Sequence, residues 1–223
     1  MRSFEMGKRL LQYKHILFDL DGTLFDTQWD LKHAWKQVIS SYGKNLDNFE
    51  EIYRIGPPLQ EIVKVLLPDL SIDEQSEAIE KFKSLYDYSE HERTAAYKWM
   101  TGYLNFLHEN NCKLYVVTNK RIYPTRYLVE KNNWSNLFTA IYTPDLHAGK
   151  IYKKHETIAL LKQAFSIDSN SAVMVGDTSG DIIAGKKNAI FTAGVTWGYG
   201  TKEELVQSQC DILLSEKDFE QWL

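Results

Sequence analysis

Residues 15–23, His15-Ile16-Leu17-Phe18-Asp19-Leu20-Asp21-Gly22-Thr23, constrain this chain more than any other stretch. A short apolar strand runs into two carboxylates spaced i and i+2, followed by a glycine turn. Residues at that spacing share a face of a strand. Like charges so close repel, and a buried strand that served folding alone would rarely end this way. The pair makes chemical sense when a cation sits between the carboxylates and one of them reacts.

Strand and helix signals alternate from there. Ile16–Leu20 reads as a buried strand, and Leu31, Ala34, Trp35, Val38, Ile39 and Tyr42 fall on one helical face. Further strands are expected at Lys113–Thr118, Thr139–Tyr142, Ala172–Gly176, Ile190–Val195 and Asp211–Leu214, separated by helical patterns such as Ile158, Leu161 and Phe165. This alternation predicts an α/β fold, a Rossmann-like doubly wound parallel sheet covered on both faces. From about Leu46 to Glu92 the pattern is helical, broken at Gly56-Pro57-Pro58 and Pro68-Asp69, with no convincing strand. It predicts an inserted all-helical cap, residues 28–93, within a catalytic core of residues 1–27 and 94–223. An insert of roughly 65 residues is only marginally stable alone. Its place directly after Asp19 and Asp21 favours a lid over the carboxyl ends of the strands, rather than a subdomain that merely packs on the sheet.

Composition narrows the partners. A net charge of −4 without a long basic run argues against nucleic acid. No apolar stretch approaches the roughly 18 residues of a spanning helix, and Met1–Leu11 lacks the apolar centre of a secretory signal. Cys112 and Cys210 are the only cysteines; two reduced core thiols of a cytoplasmic protein are favoured over a structural disulfide. Monomer and homodimer both fit.

The informative polar residues fall at strand ends, where open α/β sheets bind ligands. Asp19 and Asp21 close the first strand, Thr118-Asn119 the second, and Asp177 closes Ala172–Gly176 with Asp181 four residues on. Lys153 and Lys154 precede the helix leading into that last strand. Each cluster alone has a bland explanation: a turn at Asp-Gly, a helix cap at Thr118-Asn119, acids favoured by a helix dipole at Asp177–Asp181, a solvated face at the lysines. Their convergence on one edge carries the functional reading. Other motifs fail: Gly180–Lys187 nearly spells a phosphate loop but has Lys187 where a hydroxyl is required. Gly198-Tyr199-Gly200 lacks the third glycine of a dinucleotide loop.

In these residues the chain resembles the haloacid dehalogenase-like phosphatases over nearly its whole length. Asp19-Leu20-Asp21-Gly22-Thr23 matches the first motif, Val116-Val117-Thr118-Asn119 the second, and Gly176-Asp177-Thr178-Ser179-Gly180-Asp181 the fourth. Thr118-Asn119-Lys120 and Val195–Gly200 look most like the phosphoglycolate phosphatase branch. The third motif usually carries Lys-Pro; here Tyr152-Lys153-Lys154-His155-Glu156 departs from it, with Lys154 favoured over Lys153.

The resemblance implies a Mg2+-dependent phosphomonoesterase acting on a small phosphorylated metabolite. Asp19 would be the nucleophile that forms an aspartyl-phosphate, and Asp21 the general acid and base. Thr118, Asn119 and Lys154 would bind the phosphoryl group. Mg2+ would be held by Asp19, the Asp21 carbonyl and Asp177, with Asp181 orienting a water behind them. Arg54, Gly56 and Pro57 of the cap are candidates for substrate selection, though a helix-breaking turn explains them as well. Two alternatives stand beside the phosphatase: a sugar phosphomutase of the same family, and a non-catalytic phosphometabolite-binding protein. A dehalogenase is disfavoured by Asp21, because halide leaves without a proton.

Overall fold

The computed structural model describes residues 7–223. Most of the stretch read as lacking a leader, residues 1–6, lies outside that range. The described chain forms two compact units: one ends at Asp26 and resumes at Ala95–Leu223, and the other is Thr27–Thr94.

The first unit is built on a six-stranded, wholly parallel sheet. Its strands are β1 (His15–Phe18), β4 (Lys113–Val117), β5 (Phe138–Tyr142), β6 (Ala172–Gly176), β7 (Phe191–Val195) and β8 (Ile212–Leu214), in the order β5-β4-β1-β6-β7-β8. Alternate residues face opposite ways, so each strand feeds two cores. Ile16, Phe18, Leu114, Val116, Val173 and Val175 enter one, beneath Met100, Tyr103, Leu104, Leu128 and Phe219. Leu17, Tyr115, Val117, Ala172 and Met174 enter the other, beneath Ile158, Leu161 and Ala184. Apolar residues at both phases are what a sheet sandwiched between helices needs. A two-stranded antiparallel ribbon, β2 (Phe25–Asp26) with β3 (Ala95–Ala96), completes the unit and escapes the periodicity because each strand has only two residues.

The second unit is helical: α1 (Gln28–Ser41), α2 (Phe49–Ile52), α3 (Leu59–Leu66) and α4 (Ile72–Tyr86). Trp35 of α1 stacks on Phe82 of α4 with ring centroids 4.4 Å apart, and Ser71 with Glu74 forms a reciprocal cap at the start of α4. The helices of the first unit are α5 (Met100–Glu109), α6 (Ile122–Lys131), α7 (Lys154–Ala164), α8 (Ser179–Lys187) and α9 (Lys202–Gln207). Among the described residues no helix is long and apolar enough to cross a membrane. Cys112 and Cys210 are both free thiols.

Candidate active site

β1 and β6 are neighbours, and the chain leaves their carboxyl ends toward opposite sides of the sheet, toward β4 from β1 and toward β7 from β6. Such a divergence opens a crevice at the strand ends. Asp19 lies one residue past β1, and its N–H donates to the Val175 carbonyl at 2.9 Å, so the ladder carries it beside β6. Asp177 follows the last residue of β6, and Asp181 lies in the first turn of α8. All three are buried, with carboxylate oxygens within 4.8 Å of one another.

Asp177 and Asp181 each have donors of their own, and Lys154 bridges Asp19 and Asp181. Asp177 accepts the Thr23 hydroxyl at 3.2 Å on Oδ1 and the Tyr199 N–H at 2.7 Å on Oδ2. Asp181 Oδ2 accepts the Thr178 N–H and hydroxyl, so it serves as helix cap and cluster member together. Lys154, the first residue of α7, places Nζ 2.8 Å from Asp19 Oδ1 and 2.5 Å from Asp181 Oδ1. Lys153 is exposed and its N–H caps onto Glu156, so the buried ammonium belongs to Lys154.

Asp21 stands apart from this cluster. β1 ends at Phe18, and the Leu20 carbonyl accepts the N–H groups of Thr23, Leu24 and Phe25, which turns the chain before Asp21 can continue a strand. The expectation that Asp19 and Asp21 share a strand face is therefore corrected. The Asp21 carboxylate pairs with Lys120 Nζ at 2.9 Å. Gly22 has φ +82°, and a Cβ there would lie 2.2 Å from Asp177 Oδ2, so the turn needs glycine for conformation and for space.

Thr118, buried just past β4, accepts the Lys120 N–H at 3.1 Å. It does not cap α6: the Ile122 N–H goes to Asp145 Oδ1 at 3.0 Å instead. Asn119, between them, is half-buried. Three contributors were not among the candidate site residues of the sequence. Tyr199 acts through its backbone and leaves no local signal, whereas Thr23 stands in the first motif but acts through a long-range contact. Lys120 was legible as the residue after Thr118-Asn119. In the helical unit, Arg54 is exposed and donates to the Tyr53 carbonyl, and with Pro57, Ile62 and Leu66 it lines a cavity of about 140 Å³. Gly56 beside them has φ +112°, as a helix-breaking turn requires.

Four carboxylates facing two ammonium groups leave two negative charges uncompensated when all are ionised. Burial, then the neighbouring Asp181 and Asp21 charges, push Asp19 up to about 7 despite Lys154. Burial and the Asp181 and Asp19 charges push Asp177 well above the carboxylate range. Burial pulls the Lys154 ammonium toward losing its proton, but Asp181 and Asp19 outweigh it and raise its pKa. A buried, oxygen-only cluster with this deficit suits a hard divalent cation such as Mg2+.

A buried carboxylate cluster at the switch point of an open α/β sheet marks a ligand-binding site. The family model for haloacid dehalogenase-like hydrolases matches residues 16–195, and the chain belongs to that family. A phosphoglycolate phosphatase of Photobacterium profundum is 27% identical over 91% of this chain and 92% of its own length. A pyrophosphatase, PpaX, of Anoxybacillus flavithermus is 29% identical over 90% and 92%. Among solved structures, a protein of Clostridium acetobutylicum described as a predicted phosphatase superposes with a TM-score of 0.84 at 25% identity, covering 94% of this chain and 97% of that one.

Proposed function

We propose that the chain is a cytoplasmic Mg2+-dependent phosphatase of a small phosphorylated metabolite, working through an aspartyl-phosphate on Asp19. The observation that carries this reading is the division of the acids: Asp19 is buried against Lys154 inside a carboxylate cluster, while Asp21 sits outside it. This division supports reading Asp19 as the nucleophile and Asp21 as the group that transfers the proton. The named relatives support the phosphatase class, and the two of them act on different phosphate compounds by name, phosphoglycolate and pyrophosphate.

Uncatalysed phosphomonoester hydrolysis is slow enough to need an acceleration approaching ~10²¹. A carboxylate meeting a phosphate dianion at about 4 Å faces roughly 4 kcal/mol of repulsion per unit charge pair at an effective dielectric of 20. Lys154 and Thr118, with the N–H groups of Leu20 and Asn119, bind phosphoryl oxygens and reverse that sign. Asp19, the Asp21 carbonyl and Asp177 would hold Mg2+, with Asp181 behind them, and the ion would neutralise phosphoryl charge. Asp21 protonates the leaving oxygen and then takes a proton from the water that hydrolyses the intermediate. The helical unit acts as the lid, and Arg54, Gly56 and Pro57 contribute to substrate choice.

The test is phosphate release from a panel of phosphomonoesters and pyrophosphate, with Mg2+ and with excess EDTA, beside Asp19→Asn. Mg2+-dependent release that the variant lacks is expected. Release that survives in Asp19→Asn removes the nucleophile, and no release from any compound removes the phosphatase reading.

A further inference from the structure

The two buried lysines of the site divide its carboxylates between them. Lys154 serves Asp19 and Asp181, and Lys120 serves Asp21. The lysine side chain of the second pair is 3% exposed and the aspartate side chain 12%, so this is no surface ion pair. Burying an ammonium costs several kcal/mol unless a partner compensates it, so its presence needs a reason. Stability alone is a weak one, because a buried pair is often no better than an apolar replacement.

The local architecture supplies a reason. Asp21 has left β1 and lies where a turn begins, in an isolated bridge with Phe25, whose carbonyl accepts the Gly22 N–H at 2.8 Å. Lys120, in contrast, is anchored: β4 runs beside β1 in register, and the Lys120 N–H is fixed on the Thr118 hydroxyl at 3.1 Å. The rigid strand end therefore reaches across to the carboxylate on the turn. Its ammonium meets Asp21 Oδ1 at 2.9 Å.

We propose that Lys120 is a positioning residue that occupies Oδ1 of Asp21 and so makes Oδ2 the oxygen that exchanges the catalytic proton. This role rests on the phosphatase reading above. In the first step a bond forms between an Asp19 oxygen and phosphorus, and the bond from phosphorus to the leaving oxygen breaks with its electron pair. The proton on Asp21 Oδ2 passes to that oxygen, leaving a carboxylate beside Lys120. In the second step water oxygen bonds to phosphorus as the Asp19–phosphorus bond breaks, and Oδ2 takes the water proton back. Atoms and charge balance over the two steps. Positioned proton transfer of this kind is worth about 10²–10⁴-fold.

The leaving group separates this role from a structural one, because a nitrophenolate departs without a proton and an alkoxide does not. Lys120→Met is to be compared with wild type on an alkyl phosphate and on 4-nitrophenyl phosphate, with melting temperature and KM recorded. A loss of about 10²-fold in kcat on the alkyl ester against less than about tenfold on the aryl ester is expected, with KM little changed. Asp21→Asn should show the same selectivity, and the double variant should be no worse than Asp21→Asn alone. Lys120→Arg, which keeps the charge should Lys120→Met not fold, should restore part of the alkyl-ester rate. Equal losses on both esters, or a raised KM with kcat intact, overturn the positioning role while leaving the phosphatase reading in place. A wild type inert on both esters overturns that reading and this role together.

Discussion

At the scale of single residues the site depends on how closely Asp177 is packed. Gly22→Ala would force a Cβ to 2.2 Å from Asp177 Oδ2 at a φ of +82°, where side chains are strained by about 1–3 kcal/mol. The carboxylate must move, and misplacement by about 1 Å can cost about 10²-fold in rate. We expect a melting temperature several degrees lower and a weakened response to Mg2+, measured by thermal shift with and without the ion. A wild-type response would mean that the turn relaxes without disturbing Asp177. Asp19 gives a second prediction. Its folded pKa of about 7 lies above the ordinary 3.8, so between those values the folded chain keeps a proton that the unfolded chain has released. Stability of the metal-free protein therefore falls as pH rises from about 4 to about 7. Asp177, shifted the same way, steepens the fall. Melting in EDTA should drop between pH 5 and pH 8, and Mg2+ should flatten the slope; equal slopes in both would count against a cation at this cluster.

At the scale of elements, the parallel strands were legible because each is a run of apolar residues facing two cores, and their observed bounds lie within two residues of the expected ones, with Ala172–Gly176 unchanged. Where β1 stops was not legible: the three hydrogen bonds onto the Leu20 carbonyl end it at Phe18, and nothing in the run Phe18-Asp19-Leu20 announces them. Asp19, Asp177 and Thr118 were legible as polar residues at strand ends, Asp181 as the acid four residues on, and Lys154 as one of two lysines before a helix. The pair Lys120–Asp21 joins residues 99 apart and is decided by strand order alone. The start of α6 shows the same limit. Its cap comes from Asp145, which accepts the Ile122 N–H at 3.0 Å and the Thr143 hydroxyl at 2.8 Å and pairs with Arg121. Asp145→Ala should cost about 1–2 kcal/mol, seen as a lower denaturation midpoint with an unchanged m-value. An unaltered midpoint would show that water or a neighbour takes over the Ile122 N–H.

At the scale of the whole molecule, chemistry and selection fall to different units in our reading. The catalytic groups all come from the sheet unit, whereas Arg54 borders a cavity in the helical one. Arg54→Ala should change the ratio of kcat/KM between the preferred metabolite and 4-nitrophenyl phosphate by about tenfold, in line with the loss of one charged contact. Equal changes on both compounds would point away from selection. The ribbon of β2 and β3 bears on how such a division can persist. Asp26 pairs with Ala95 and Phe25 with Ala96, so the two points where the chain departs from and returns to the sheet unit are cross-strand neighbours. Lengthening a loop whose ends are already pinned adds only about 0.6 kcal/mol of closure cost per doubling. The ends of residues 27–94 are thus pinned together by the ribbon, while the register that sets Asp19 beside β6 is fixed by strands of the sheet unit alone.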